Sequence, residues 1–197
     1  MELRKLESRD APFMLEWMHD ADCVRYLKTD FMSMSLEDCL GFIKQSDNDL
    51  TDLHLAIADD KGEYMGTVSL KHIDRARLFA EFAISIRRCA MGKGYSSWGM
   101  RTILEKGIDE LGLAKIYWCV SPENERAVKF YDKNGYKLCT DVPMELLERY
   151  DDDYQSAVLW YSYPNDSEDR PADISEELLM YTRSKEMAVA ETQQFNV

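Results

Sequence analysis

Met91-Gly92-Lys93-Gly94-Tyr95-Ser96 has the composition of an anion cradle. Glycines let a backbone curl closely around a phosphate, and a helix starting directly after them points unpaired N–H groups and the positive end of its dipole into the curl. The flanking pattern supplies that helix. Leu78, Ala80, Phe82, Ile84 and Ile86 alternate with Phe79, Glu81, Ala83 and Ser85, the period of a strand. Met100, Ile103, Leu104, Gly107, Ile108 and Leu111 then fall on one helix stripe, and Gly112 supplies a left-handed stop. The segment reads as strand, glycine loop, helix, and its chemistry is the binding of something phosphorylated.

Other phosphate-binding designs share this outline. A P-loop needs Ser or Thr directly after its lysine to place a hydroxyl on magnesium, but Gly94 follows Lys93. A dinucleotide fingerprint needs a third glycine, where Ser97 stands, and an acidic residue about 20 positions onward, where Ile116 to Val120 run instead. A glycine-bearing connection that binds nothing stays open until a second motif decides.

That motif follows the apolar strand Lys115 to Val120, whose Ile116, Trp118 and Val120 share a face. Ser121 is the expected helix cap, Pro122 suits the first position, and Asn134-Gly135 ends the helix before Tyr136 to Cys139 resumes as strand. Asn124, Ala127 and Tyr131 stand at i, i+3 and i+7, on one helix face.

In the order and spacing of these two motifs the chain resembles the GNAT superfamily of acyl-CoA-dependent N-acyltransferases. Ala80-Glu81-Phe82, the run Gly92-Lys93-Gly94-Tyr95 and residues Asn124 to Tyr136 look closest to its ribosomal-protein N-terminal, spermidine and amino-sugar acetyltransferases. The resemblance spans residues 1–163 and is most specific from Leu78 to Leu138. It implies an α/β fold with a mixed, mostly antiparallel sheet, central parallel strands splayed apart, and flanking helices. It also implies acetyl-CoA as cosubstrate, its diphosphate gripped by Met91, Gly92, Lys93, Gly94, Tyr95 and Ser96. Asn124 and Ala127 would lie along the pantetheine arm, and main chain at Ala83, Ile84 and Ile86 would line the splay, an N–H near Ala83 or Ile84 polarising the thioester carbonyl. Two positions depart from the family: Met91 replaces Gln or Arg, and Ser96 replaces Gly or Ala. Met91 is expected to present its N–H still, with the loss of one polar side-chain contact. Arg88 offers a compensating charge, against the alternative that it is simply solvated.

An amine attacking a thioester is a good nucleophile once neutral, so such a protein must hold both partners, remove a proton and stabilise an oxyanion. No covalent nucleophile is required. His19, His54 and His72 lie far apart and the cysteines show no paired spacing, so triads and zinc sites lack support. Glu81 is the candidate base, because Ala83 and Ser85 on its strand face leave room for substrate and an ordered water. An exposed strand glutamate is the bland alternative. Tyr131 is the candidate acid, since a phenol with an ordinary pKa near ~10 can protonate a departing thiolate at neutral pH. The alternative is an aromatic packing helix to sheet. Cys119, beside the same splay, raises an acyl-cysteine relay, against the reading of a packed thiol.

The elements that must position these residues follow from periodicity. An initial strand leads to helices over Asp10 to Met18, capped by Asp10, and Ser35 to Gln45. Leu53 to Ala58 and Tyr64 to Ile73 form a hairpin around Asp59-Asp60-Lys61-Gly62, and Tyr154 to Tyr163 is the final strand. Beyond the catalytic domain, residues 164–172 read as a linker and 173–197 as an acidic helical tail. No apolar run approaches the ~20 residues of a membrane span, and the opening residues lack the apolar core of a secretion signal. The expectation is a cytoplasmic enzyme with reduced thiols. The formal net charge is −13, which repels nucleic acid and anionic membranes and attracts cationic amines or basic peptides. Asp151-Asp152-Asp153 beside Glu148 could gather a polyamine, or be a solvated hairpin tip. The reading is an acetyl-CoA-dependent N-acetyltransferase acting on a small-molecule amine (polyamine or amino sugar) or a protein N-terminal amine, with a homo-oligomer left open. The competing reading is an acyl-CoA-binding sensor that turns nothing over.

Overall fold

The computed structural model describes residues 1–164. Nearly all of the 164–172 linker and the whole 173–197 helix of the sequence reading lie outside the described residues.

Seven strands make one sheet: β1 (Glu2–Lys5), β2 (Leu53–Ala58), β3 (Tyr64–Asp74), β4 (Phe79–Ile86), β5 (Lys115–Val120), β6 (Lys137–Leu138) and β7 (Leu159–Tyr163), in spatial order β1-β2-β3-β4-β5-β7-β6. Every pairing is antiparallel except β4 with β5. That parallel ladder runs only from Phe79–Lys115 through Glu81–Tyr117. Past Glu81 the two central strands part, and β4 changes from buried at Phe79 to Phe82 to half-buried at Ala83 to Ile86. The main-chain groups that β4 turns toward β5 there have lost their ladder partner.

Strand alternation sends Ala80, Phe82, Trp118 and Val120 into the main core beneath α4 (Tyr95–Glu105) and α5 (Glu125–Lys133), which contribute Met100, Ile103, Leu104, Val128 and Tyr131. Glu81, Ala83 and Ser85 occupy the opposite face, across from Lys71, Ser69 and Thr67 of β3. This face is covered in two places. Near Thr67 lie α1 (Ala11–Met18), α2 (Ala21–Val24) and α3 (Leu36–Ser46), pinned where Trp17 Nε1 donates to Tyr64 Oη at 3.0 Å. Near Phe79 and Tyr117 lie α6 (Met144–Leu147) and α7 (Asp152–Ala157), packed through Leu146 and Trp160.

The structure redraws several expected boundaries. Residues 152–157 are helix rather than the start of the last strand, because Asp151 accepts the Tyr154 N–H and caps them. The acidic run is therefore a first helical turn, where carboxylates suit the dipole, and not a hairpin tip. The strand expected over Tyr136 to Cys139 shortens to two residues. Asp10 does stand at the cap position of α1, but its carboxylate is taken by Arg4 at 2.7 Å and by the Glu7 N–H.

Candidate active site

Gly94 begins α4 with φ +88° and Gly92 sits at φ +73°. A Cβ at either would meet nothing within 4 Å, so the glycines serve backbone conformation rather than space. Among the described residues, the N–H groups of Gly92, Gly94, Tyr95, Ser96 and Ser97 find no acceptor. These are the donors an anion cradle requires, at the positive end of an 11-residue helix.

Met91 corrects the sequence reading. Its N–H donates to the Arg88 carbonyl at 3.2 Å, and that of Lys93 to Ala90 at 3.3 Å. A 3-10 turn over Arg88–Ala90 runs into the loop and consumes both amides. Met91 acts through its thioether instead, with Arg126 Nη1 of α5 3.0 Å from Sδ. A guanidinium that the sequence reading passed over thus stands at the loop. Arg88 is exposed, as the solvated alternative has it, but its charge is paired: it forms a fork on Asp20, with both contacts at 2.5 Å, and reaches Asp22 at 2.9 Å.

The second motif starts three residues later than expected. Ser121 only turns the chain, its Oγ accepting the Glu123 N–H, while Asn124 caps α5 by accepting the Ala127 N–H at 3.2 Å. Pro122, with its φ fixed, lies in this turn and not in the helix. Ala127 lies half-buried against the core, and Tyr131 is buried one helical turn further on. The Tyr131 ring packs on Trp118 (5.6 Å between centroids) and Tyr161 (5.0 Å). Burial first, then the nearby Tyr161 and Cys119, hold its phenol well above the ordinary range, so it is protonated at any physiological pH. Trp118 is the first β5 residue past the end of the parallel ladder.

Glu81, the last β4 residue in that ladder, is 4% exposed and not the solvated strand residue of the bland reading. Tyr150 Oη donates to its Oε1 at 2.5 Å and Lys71 Nζ at 3.1 Å. His72 Nε2 lies 3.6 Å from Oε2, which is buried and has no hydrogen-bond partner. Lys71 and His72 are adjacent, and on a regular strand one would face away. A bulge with His72 at φ +54° brings both to Glu81. His72 also borders a cavity of about 470 Å³ with Arg75, Phe79 and Arg149. Its pKa is lowered by burial and by Arg149, so at neutral pH the imidazole is uncharged. Cys119 shares this face. Burial and the Glu81 charge push its thiol up to about 11, which leaves little thiolate for an acyl relay. Lys71, His72, Tyr150 and Arg126 carried no sequence signal beyond residue type, because each is paired by a bulge or by contacts distant in sequence.

An amide cradle, parted central strands, and a carboxylate and a phenol flanking the parting match what a transferase using a coenzyme A thioester needs. Residues 1–137 match the model of the acetyltransferase (GNAT) domain. The chain belongs to the GNAT acetyltransferase family. It is an acetyl-CoA-dependent N-acetyltransferase, with the seven-strand mixed sheet of that fold. Similar proteins include spermidine N(1)-acetyltransferase of Escherichia coli K12, 29% identical over 145 residues that cover 70% of this chain and 73% of the relative. The Vibrio cholerae spermidine N(1)-acetyltransferase is 27% identical over 172 residues, covering 84% and 96%. Among solved structures, V. cholerae spermidine N-acetyltransferase in complex with CoA and spermine superposes with a TM-score of 0.64 at 25% identity, over 71% of this chain and 82% of that one. A dodecameric structure of the V. cholerae enzyme shares the fold, with a TM-score of 0.62 at 24% identity over 85% and 98%.

Proposed function

We propose that this GNAT enzyme acetylates a primary amine of a polyamine by direct attack, with Glu81 as base and Tyr131 as acid. The observation that carries the mechanism is the position of the two groups on either side of the point where β4 and β5 part: Glu81 ends the ladder on one face, and Tyr131 packs on Trp118 just past its end from the other. The unpartnered N–H groups of Gly92 and of Gly94 to Ser97 hold the diphosphate of acetyl-CoA, aided by the Lys93 and Arg126 side chains. Asn124 and Ala127 line the arm, and main chain at Ala83, Ile84 and Ile86, freed by the parting, binds along it and polarises the carbonyl.

An acceptor amine must first lose the proton of its ammonium form. Glu81 Oε2, buried and without a hydrogen-bond donor, takes that proton through an ordered water, and His72 passes it toward the adjoining cavity. The neutral nitrogen attacks the thioester carbon, the C–N bond forms, and collapse breaks the C–S bond while Tyr131 protonates the leaving sulfur. The amine's second proton leaves by the Glu81 route, and solvent returns a proton to Tyr131 as the thiol departs, so one proton is released overall.

The polyamine reading is supported by the names of the relatives and by the formal charge of −13, which draws polycations. A cytoplasmic location agrees with five free cysteines, and no described helix is long and apolar enough to cross a membrane. Assembly of identical chains belongs to the same reading, after the dodecameric relative. The test is a panel of polyamines, amino sugars and N-terminal peptides assayed with acetyl-CoA by thiol release. Spermidine or spermine should give the highest kcat/KM; a peptide or amino sugar exceeding both would overturn the substrate assignment.

A further inference from the structure

Tyr150 has two faces of activity. Its hydroxyl binds Glu81, and its ring stacks with Tyr154 at 5.1 Å and 15°, making one continuous aromatic wall. On this wall sits an ammonium group from elsewhere in the chain. Lys28 Nζ lies 5.0 Å from the Tyr154 ring centre and 5.8 Å from that of Tyr150, and pairs with Asp151 Oδ2 at 2.5 Å. Two electron-rich rings and a carboxylate are the chemistry that recognises an alkylammonium ion. The occupant comes from an exposed stretch, Leu27–Asp30, 123 positions away from Asp151 in sequence. Lys28 and Asp151 are themselves 48% and 61% exposed, so the contact is solvent-screened and readily exchanged.

We infer that Tyr150, Tyr154 and Asp151 form the subsite for the remote ammonium of a polyamine acceptor, and that Lys28 occupies it in the unliganded chain as a competing internal cation. The inference rests on the polyamine reading above and extends it. Tyr150 connects the two ends of such a substrate: the reacting nitrogen is deprotonated at Glu81, to which its hydroxyl is bonded, while the second, charged nitrogen rests on the outer side of its ring beside Asp151. A monoamine gains nothing from this wall. The apparent affinity for a polyamine is reduced by the fraction of chains in which Lys28 holds the subsite.

The experiment compares spermidine with n-butylamine in wild type, Lys28→Met and Lys28→Met/Asp151→Asn, measuring kcat and KM by thiol release and spermidine binding by calorimetry. Lys28→Met keeps the length of the side chain without its charge. It should raise the spermidine to butylamine ratio of kcat/KM about three- to tenfold, through spermidine KM, as expected for freeing an exposed cation–π and ion-pair site. Asp151→Asn in that background should reverse the gain. A ratio unmoved or lowered by Lys28→Met, with spermidine still acetylated, overturns the subsite and leaves the polyamine assignment standing. Spermidine that binds Lys28→Met more tightly than wild type without being acetylated supports the subsite and sinks the assignment. Spermidine that neither binds nor reacts overturns both.

Discussion

Replacing Tyr131 with phenylalanine separates chemistry from packing at the residue where the two are hardest to tell apart. The ring contacts Trp118, Phe130, Tyr136 and Tyr161, and all of these survive the change. No described residue hydrogen-bonds the hydroxyl, so its removal leaves no orphaned partner and should alter folding stability by less than about 1 kcal/mol. The cradle lies on another element, and acetyl-CoA affinity should stay within about threefold of wild type. Turnover behaves differently. Without a proton donor the sulfur must leave as a bare thiolate inside a low-dielectric gap, and loss of a general acid lowers kcat by roughly 10²- to 10⁴-fold, or about 3–5 kcal/mol of barrier. The assay is steady-state thiol release, with calorimetry of acetyl-CoA and thermal unfolding on the same samples. A kcat within about threefold of wild type would refute the acid role. A kcat loss matched by a fall in acetyl-CoA affinity or melting temperature would return Tyr131 to the status of a packing residue.

Other outcomes follow from the same geometry. Gly94→Ala forces a side chain onto φ +88°, a strain of about 1–2 kcal/mol, and should raise acetyl-CoA KM roughly tenfold as the cradle swings to relieve it; an unchanged KM would detach the loop from the cosubstrate. Asp10→Ala removes the carboxylate fork from the Arg4 guanidinium, whose side chain is only 13% exposed, and leaves it the Lys5 and Gly62 carbonyls, so it should destabilise the fold by roughly 2–3 kcal/mol in denaturant titration. A cost below about 1 kcal/mol would mean Arg4 finds water. Tyr64 and Tyr131, both held above their ordinary pKa by burial, keep protons that the unfolded chain sheds near pH ~10. Folding stability should therefore be full below pH ~10 and fall above it, by up to about 1.4 kcal/mol per pH unit for each tyrosine, and Tyr64→Phe should flatten that slope. Constant stability from pH 9 to 11 contradicts it.

Local signals were enough to place the two motifs. Alternation located β4 to within a residue, because its two faces meet different surroundings. The paired glycines located the start of α4, because glycine adopts positive φ at little cost and most other residues do not. Signals failed where two local options compete. Ser121 and Asn124 are both good caps; Pro122 suits the earlier one, yet the helix starts from the later. Tyr154 begins a segment that reads as strand by its aromatics, yet the Asp151 cap makes it helix. The amide of Met91 was expected to be free, but a turn immediately upstream uses it.

The sequence by itself determined the strand–loop–helix cradle, the face shared by Asn124, Ala127 and Tyr131, and the acidity that favours cationic substrates, because each of these depends on neighbours within a few residues or on composition. Tertiary structure alone decided the surroundings of Glu81. A bulge at His72 turns two consecutive side chains to one carboxylate, and a segment 69 residues further on delivers Tyr150 to the same oxygen as Lys71. Which groups share a proton depends on such through-space meetings, and no periodicity along the chain encodes them.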